Sequence, residues 1–341
     1  MMTQLEKGFA CMAQRVTMSD VARAAGVSSA TVSYVLSGKR PVTAETRESV
    51  HSAIDRLGFR LNPVARSLRT GRSMMVALVV PDLANPFYAL LARSIQDKLR
   101  GRGYHVVVSN TGAQRGEEEA LLQEAVHQRF AAVVMTPFRL AADAFEMIRG
   151  AGIPVVVSAD TPFDGVDLVT PSSDQAVVDA LTHVAASGRR SVGVIAGPLD
   201  VPGGDPRLDR IKTHVAALGL QVRDEHVVHG EHTREAGAAG FEKLLRSSRR
   251  PEAVLCVNDM TAVGAMDVAE ELGLEIPGDI GLLGHDDIDI ASLVRPRLST
   301  IRYSAREVGA VASALLLEQI DGRTQPRTVR VSAQFVRRAS L

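Results

Sequence analysis

Cysteine is nearly missing from this sequence: Cys11 and Cys256 are the only two in 341 residues, and no CxxC pair occurs. That excludes a disulfide framework and fits a reducing compartment. Cys256 stands in the apolar run AVLCV, where a small buried thiol is the expected role. No stretch approaches the ~20 apolar residues of a membrane-spanning helix, so no membrane partner is expected. The opening MMTQLEKGFACMAQR carries Glu6 and no long apolar core. It does not fit a secretory leader, and residues 1–14 are read as a disordered extension. Net charge is absent too: 39 basic and 39 acidic side chains cancel, so bulk charge names no partner. The chain has no G-x-G-x-x-G, no G-x-x-x-x-G-K-[ST] and no G-x-S-x-G, which removes the usual signatures of dinucleotide, P-loop and hydrolase chemistry. Asp286–Asp287 is an acidic pair without a nucleophile or metal set beside it. The reading is of a non-enzyme that needs no cofactor.

What is present is organisation. The length suits two or three domains, and 45% hydrophobic residues allow a sizeable buried core. Charge is unevenly spread: Arg15 to Arg72 holds ten Lys/Arg against four Asp/Glu, a basic block expected of a nucleic-acid-binding arm. Residues 16–61 hold short helical patterns and no strand-like run. From Met74 onward short apolar runs alternate with amphipathic stretches. The runs lie at 75–80, 104–109, 131–135, 154–158, 191–197, 253–258 and 280–287. Helical candidates lie near 86–102, 115–128, 141–151, 174–187, 207–218, 234–247 and 260–272. Such alternation predicts parallel sheets with βαβ crossovers, here as two doubly wound α/β subdomains. Ligands of such sheets bind beyond the carboxyl ends of the strands, so the residues just after the runs are the place to search.

In the stretch 16–59, Thr17 or Ser19 can cap a first helix and Gly26 can turn the chain. Ser28 can cap a second helix, and Thr43 a third carrying Val50, Ile54 and Leu57 at helical spacing. This is a helix-turn-helix with a supporting helix, its second helix presenting Ser29, Ala30 and Tyr34 outward. A three-helix protein-interaction module is the alternative that the pattern alone leaves open. In the linker NPVARSLRTGRS, Asn62 can cap a short helix that Gly71 ends.

DVARAAGVSSATVSYVLSG, V-TAETRESV and LGFRLNPVARSLRTGRS together closely resemble the LacI/GalR family of transcription regulators, and the resemblance runs from Val16 to the end. It implies an all-α headpiece at 15–61, a hinge helix at 62–73 and a periplasmic-binding-protein-like effector and dimerisation domain at 74–341. The two subdomains of that domain are expected at about 74–171 with 302–330, and about 172–301 with 331–341. It further implies that Ser29, Ala30 and Tyr34 read base edges, and that Thr17, Ser28, Thr31, Ser33 and Asn62 belong to the DNA contact. Ala65 and Leu68 match the hinge positions that enter the minor groove, with Leu68 as the wedge that unstacks a central step. For the effector it implies Arg207, Asn258 and Asp286 from one subdomain, with Asn85 and Phe87 from the other and His232 flanking. Asp259 reads as the cap of the next helix.

The pattern departs from the family at several places. Arg210 and Ile211 replace a usual glycine and aromatic, and Ala159 fills a position that is often Asp, with Asp160 after it. His226, His229 and His232 recur every third residue with Glu231 nearby, but strand alternation would scatter them, so no metal site is expected. The expected function is a cytoplasmic, nucleoid-associated regulator and repressor. It would bind a palindromic operator as a homodimer and answer to a small molecule, a sugar or sugar derivative or else a nucleobase or nucleoside. A transporter's solute-binding protein would carry a secretion signal and would have no use for residues 16–72.

Overall fold

The computed structural model describes residues 16–37, 40–59, 73–141 and 143–341. The proposed extension at 1–14, the hinge segment and with it Asn62, Ala65 and Leu68 lie outside the described residues. The chain divides into two compact units, Met1–Gly71 and Arg72–Leu341.

The described residues of the first unit form three helices, α1 (Met18–Ala25), α2 (Ser29–Ser37) and α3 (Ala44–Leu57). Thr17 starts α1 through a capping box: its hydroxyl accepts from the Asp20 amide, while the Asp20 carboxylate accepts from the Thr17 amide. Gly26, at φ 67°, supplies the left-handed residue that ends α1 and turns the chain into α2. Ser28 caps α2 by accepting from the Thr31 amide at 3.1 Å, and Thr43 caps α3. Val21, Ala22, Val32, Val50 and Ala53 close a small core that all three helices share.

The second unit contains two six-stranded sheets. The strands are β1 (Met75–Val80), β2 (His105–Asn110), β3 (Ala132–Met135), β4 (Val155–Ser158), β5 (Asp167–Ser172), β6 (Val192–Ala196), β7 (Val227–His229), β8 (Ala253–Cys256), β9 (Gly281–Asp286), β10 (Ser299–Arg302), β11 (Thr328–Ser332) and β12 (Gln334–Val336). The first sheet runs β11-β5-β4-β3-β1-β2 and is parallel throughout; the second runs β12-β10-β9-β8-β6-β7, with only β12 antiparallel. Each sheet and its helices form one lobe.

Both sheets are covered on both faces, so their strands read as continuous apolar runs. Along β1, Val76, Leu78 and Val80 pack under the helices Pro86–Arg100 and Ala305–Ile320, while Ala77 and Val79 join Leu122 and Ile148 on the other side. In the second lobe, Val192 and Val194 face the helices Asp174–Ala186 and Pro206–Val215. Ile195 there faces Arg234–Leu245 and Asp259–Glu271. The last two helices press together at Gly237 and Gly264, where a Cβ would run into the partner helix's backbone. Nothing larger than glycine permits that approach, which fixes the ends of both helices at the site described below.

The chain passes between the lobes three times: after β5, after β10, and between β11 and β12. Two of these passages are tied, since Ser172 pairs with Ser332 and the Ala333 amide donates to the Ser172 carbonyl at 3.0 Å. All seven apolar runs read from the sequence form strands. The helix expected near 141–151 is only Glu146–Gly150, and that near 207–218 tightens to a 3-10 turn after Val215. Helix Ala305–Ile320 was not anticipated: its sequence AREVGAVASALLLEQI is apolar on most sides and gives little period.

Candidate functional site

In each sheet the strand order reverses once, between β1 and β3 and between β6 and β8. Crevices open outside the carboxyl ends of strands at such reversals. Here the two lobes turn these ends toward one cavity of about 160 Å3. From the first lobe it is lined by Asn85 after β1, Thr136 to Phe138 after β3, and Ser158 to Thr161 after β4. From the second come Gly197 after β6, Arg207, His232, Asn258 and Asp286, and Tyr303 joins from a crossing segment. All six effector residues named from the sequence therefore line one space.

Asp286 ends β9 in the left-handed region, at φ 104°. Its Oδ1 accepts from His285 Nδ1 at 2.9 Å and lies 3.5 Å from Arg207 Nη2. Burial works against the carboxylate, but Arg207 and His285 outweigh it and hold its pKa below the usual range. The other face of the Arg207 guanidinium donates to the Val257 carbonyl. Arg207 itself is aimed by Asp205, which caps helix Pro206–Val215 by accepting from the amides of Arg207 and Leu208, and from Gly197 at 2.8 Å. Burial, reinforced by Arg207, pushes His232 down to about 4, so its imidazole is neutral at pH 7. Its ring meets Phe138 from the opposite lobe edge to face, 4.7 Å between centroids.

The cap of helix Asp259–Glu271 needs correcting. Asn258, not Asp259, is the N-cap: its Oδ1 accepts from the Thr261 amide at 2.8 Å. Asp259 instead turns inward, where Oδ2 accepts from the Ile288 amide and Oδ1 from the Thr300 hydroxyl. Burial and then the nearby Asp286 push that carboxyl well above the usual range. Asn258 also donates from Nδ2 to the His232 carbonyl at 2.9 Å, which leaves one amide hydrogen for a ligand. Asn85 likewise caps its helix, accepting from Phe87, and Phe87 is buried in a stack on Tyr303.

Sequence reasoning missed several cavity residues. Thr136 carries a buried hydroxyl with no hydrogen-bond partner among the described residues, and the buried Tyr303 hydroxyl lies beside Ser158. Asp160 grips Arg210 across the lobes through two parallel bonds, one of them 2.5 Å. Thr136 and Asp160 directly follow strand runs and so could have been found by position; nothing marks Tyr303. The histidine series is dispersed. His226 donates to the Arg249 carbonyl, His229 to the Gly197 carbonyl, and His232 lies against Phe138. Among the described residues no group of three or more His, Cys, Asp or Glu side chains is placed to hold a metal ion.

On the first unit, α2 leaves Ser29 and Ala30 exposed, with Thr31, Ser33 and Tyr34 half-buried. Arg40 lies over the Tyr34 ring at 5.1 Å. The hydroxyls of Ser28 and Thr31 bond each other at 2.9 Å, and that of Thr17 donates to Asp20 at 2.7 Å. These three hydroxyls are spent first on helix starts.

Residues 17–62 match the model of bacterial regulatory proteins of the lacI family, and residues 181–341 that of a periplasmic binding protein-like domain. The catabolite control protein A of Priestia megaterium is 33% identical over 91% of this chain and 94% of its own. A lac repressor dimer bound to operator and the anti-inducer ONPF superposes with a TM-score of 0.84 at 25% identity, covering 96% of this chain and 99% of the other. The regulator CelR in complex with cellobiose gives 0.72 at 27% identity, over 96% and 100%. No helix among the described residues is long and apolar enough to cross a membrane. A three-helix unit joined to two lobes around a polar cavity thus has its likeness in known regulators along almost the whole chain, and the chain belongs to the lacI family of bacterial regulatory proteins.

Proposed function

We propose that this protein is a transcriptional repressor whose affinity for operator DNA is set by a small molecule held between the lobes. The observation that carries the reading is the convergence of Arg207, Asn258 and Asp286 with Asn85 and Phe87 of the other lobe on one cavity. A cavity walled by two lobes couples occupancy to their relative position, because a ligand that touches both favours the closed arrangement. The kinship with a lac repressor dimer bound to operator supports the DNA half. The CelR complex with cellobiose supports a sugar or sugar derivative as effector.

In this reading two copies place α2 in successive major grooves of a palindromic site. Ser29, Ala30 and Tyr34 read base edges, with Thr17, Ser28, Thr31, Ser33 and Asn62 at the DNA backbone. Ala65 and Leu68 enter the central minor groove, and the bend gained there depends on how the lobes are set. The effector acts through unequal affinity for the two states, and DNA changes its affinity by the same factor. No turnover is involved, and the protein works in the cytoplasm, where the DNA is.

Fluorescence anisotropy on a labelled operator tests this. Asp286→Asn keeps the volume and the left-handed backbone, so operator binding stays within about twofold while the response to effector is lost. An unchanged response removes Asp286 from the site; lost operator binding removes the separation of the two functions.

A further inference from the structure

Consecutive residues of a strand point to opposite faces of the sheet, yet His285 and Asp286, at the end of β9, bond each other side chain to side chain. The backbone permits it. Asp286 stands at φ 104°, which takes it out of the strand's alternation and lets its carboxylate lie beside the neighbouring imidazole. Both residues are buried, so the pair is a fixed part of the interior.

Which atom donates follows from charge. Burial disfavours the Asp286 carboxylate, but Arg207 and His285 keep it ionised, so its oxygens only accept. Burial and then Arg207 lower the pKa of His285, so the imidazole is neutral at pH 7 and carries a single N–H. That hydrogen stands on Nδ1, the nitrogen 2.9 Å from Asp286 Oδ1.

The bond has a consequence for Arg207. A guanidinium and a carboxylate left to themselves close into two parallel bonds, as Arg210 and Asp160 do on the same cavity. Arg207 and Asp286 do not. Nη2 of Arg207 stands 3.5 Å from Oδ1, long for a hydrogen bond, and Nη1 is spent on the Val257 carbonyl. The imidazole occupies the oxygen that a parallel pair would need, and Oδ2 takes no hydrogen bond among the described residues.

Taking the effector reading above as its basis, we infer that His285 is a positioning residue of the effector site: its Nδ1–H keeps Asp286 from closing on Arg207, so that the carboxylate accepts from the effector and the guanidinium donates to it. His285 is not part of the cavity wall. It borders a smaller void of about 30 Å3 with Leu255, Cys256 and Ile301, and it acts through Asp286.

The test separates the bond from the packing. His285→Phe keeps a buried planar ring, for which the adjoining void leaves room, and removes the N–H. His285→Asn loses the ring and keeps an N–H where Nδ1 stands. A deproteinised small-molecule extract of the source bacterium is titrated into the full-length protein on labelled operator, and the half-saturating dose is read by anisotropy. His285→Phe should raise that dose about tenfold or more, and His285→Asn should stay within about threefold of wild type, with extract-free operator affinity unchanged in both. A defect in both variants, in neither, or in His285→Asn alone would overturn the inference, because the response would not follow the bond. A wild type that does not answer to the extract overturns effector control, and the positioning role with it. The bond itself is read without extract, by NMR of full-length protein with isotopically labelled histidine nitrogens. The signal that His285→Asn removes should be that of a ring protonated on Nδ1; a ring carrying its hydrogen on Nε2 alone would overturn the inference.

Discussion

Arg139 of the first lobe holds Asp200 of the second through two parallel hydrogen bonds, Nε to Oδ2 and Nη2 to Oδ1, both 2.9 Å. The same Nη2 also reaches Glu231 at 2.9 Å. One guanidinium thus joins the loop after β3 to the loops after β6 and β7, at the side of the cavity where Phe138 meets His232. The acidic partners are open to solvent, 67% and 52% exposed, so the clasp is screened and weak. Such a clasp ties the two lobes together on one side of the cavity without locking them.

Arg139→Met should therefore speed effector release about two- to fivefold, and raised salt should do the same to the wild type but not to the variant. Stopped-flow release at low and high salt checks this. Equal salt dependence in both proteins would remove Arg139 from the closure.

The clasp depends on Glu118, which is buried and accepts from the backbone amides of Phe138 at 2.6 Å and Arg139 at 2.9 Å. Glu118→Gln turns one acceptor oxygen into an NH2 group facing an amide. A loss of about 1–3 kcal/mol is expected, read from denaturant melts. A variant as stable as wild type would mean that other groups hold this loop.

Asp160 and Arg210 are each only 17% exposed and belong to different lobes. Removing Arg210 strands the Asp160 charge, and removing Asp160 leaves Arg210 only the exposed Asp174 at 3.7 Å, whereas removing both leaves neither of the pair uncompensated. Asp160→Ala and Arg210→Met should each destabilise more than the double variant does. Additive losses in the cycle would show that the two residues do not act as a pair.

His232, pushed down to about 4 in the folded protein, makes folding depend on pH. Below the ordinary histidine value of about 6.5 the unfolded chain takes up a proton that the folded site refuses, so stability falls as pH drops from there toward 4. Burial lowers His285 as well, so both contribute. The melting temperature should decline between pH 6.5 and 5, and His232→Phe should reduce that slope. A slope the same in variant and wild type would place His232 in water.

Leu68 tests the DNA half. Leu68→Ala should weaken binding to the operator about tenfold or more and binding to random DNA hardly at all, since only the specific complex gains from an unstacked central step. Parallel losses on both DNAs would assign Leu68 no wedge.

The fold was legible where burial leaves a plain mark. Strands covered on both faces appear as uninterrupted apolar runs, and the residues just past them led to Asn85, Asn258 and Asp286. The missed strands bear weaker marks. β5 contains Pro171, which cannot donate to a ladder, and β11 and β12 are half-exposed edges with polar alternation. The cap at Asn258 was misassigned because Asn and Asp are equally good caps in sequence, and only burial distinguishes them. Pairings such as Arg139 with Asp200, 61 positions apart, join the two lobes and have no local signal.

The most direct measurement is capture of genomic DNA fragments by the full-length protein at one fixed salt concentration, with and without bacterial extract, followed by sequencing. An effector-controlled repressor should recover one inverted-repeat motif, enriched to different degrees in the two arms. Fragments that share no motif in either arm would refute sequence-specific recognition, and a motif enriched equally in both would refute control from the cavity.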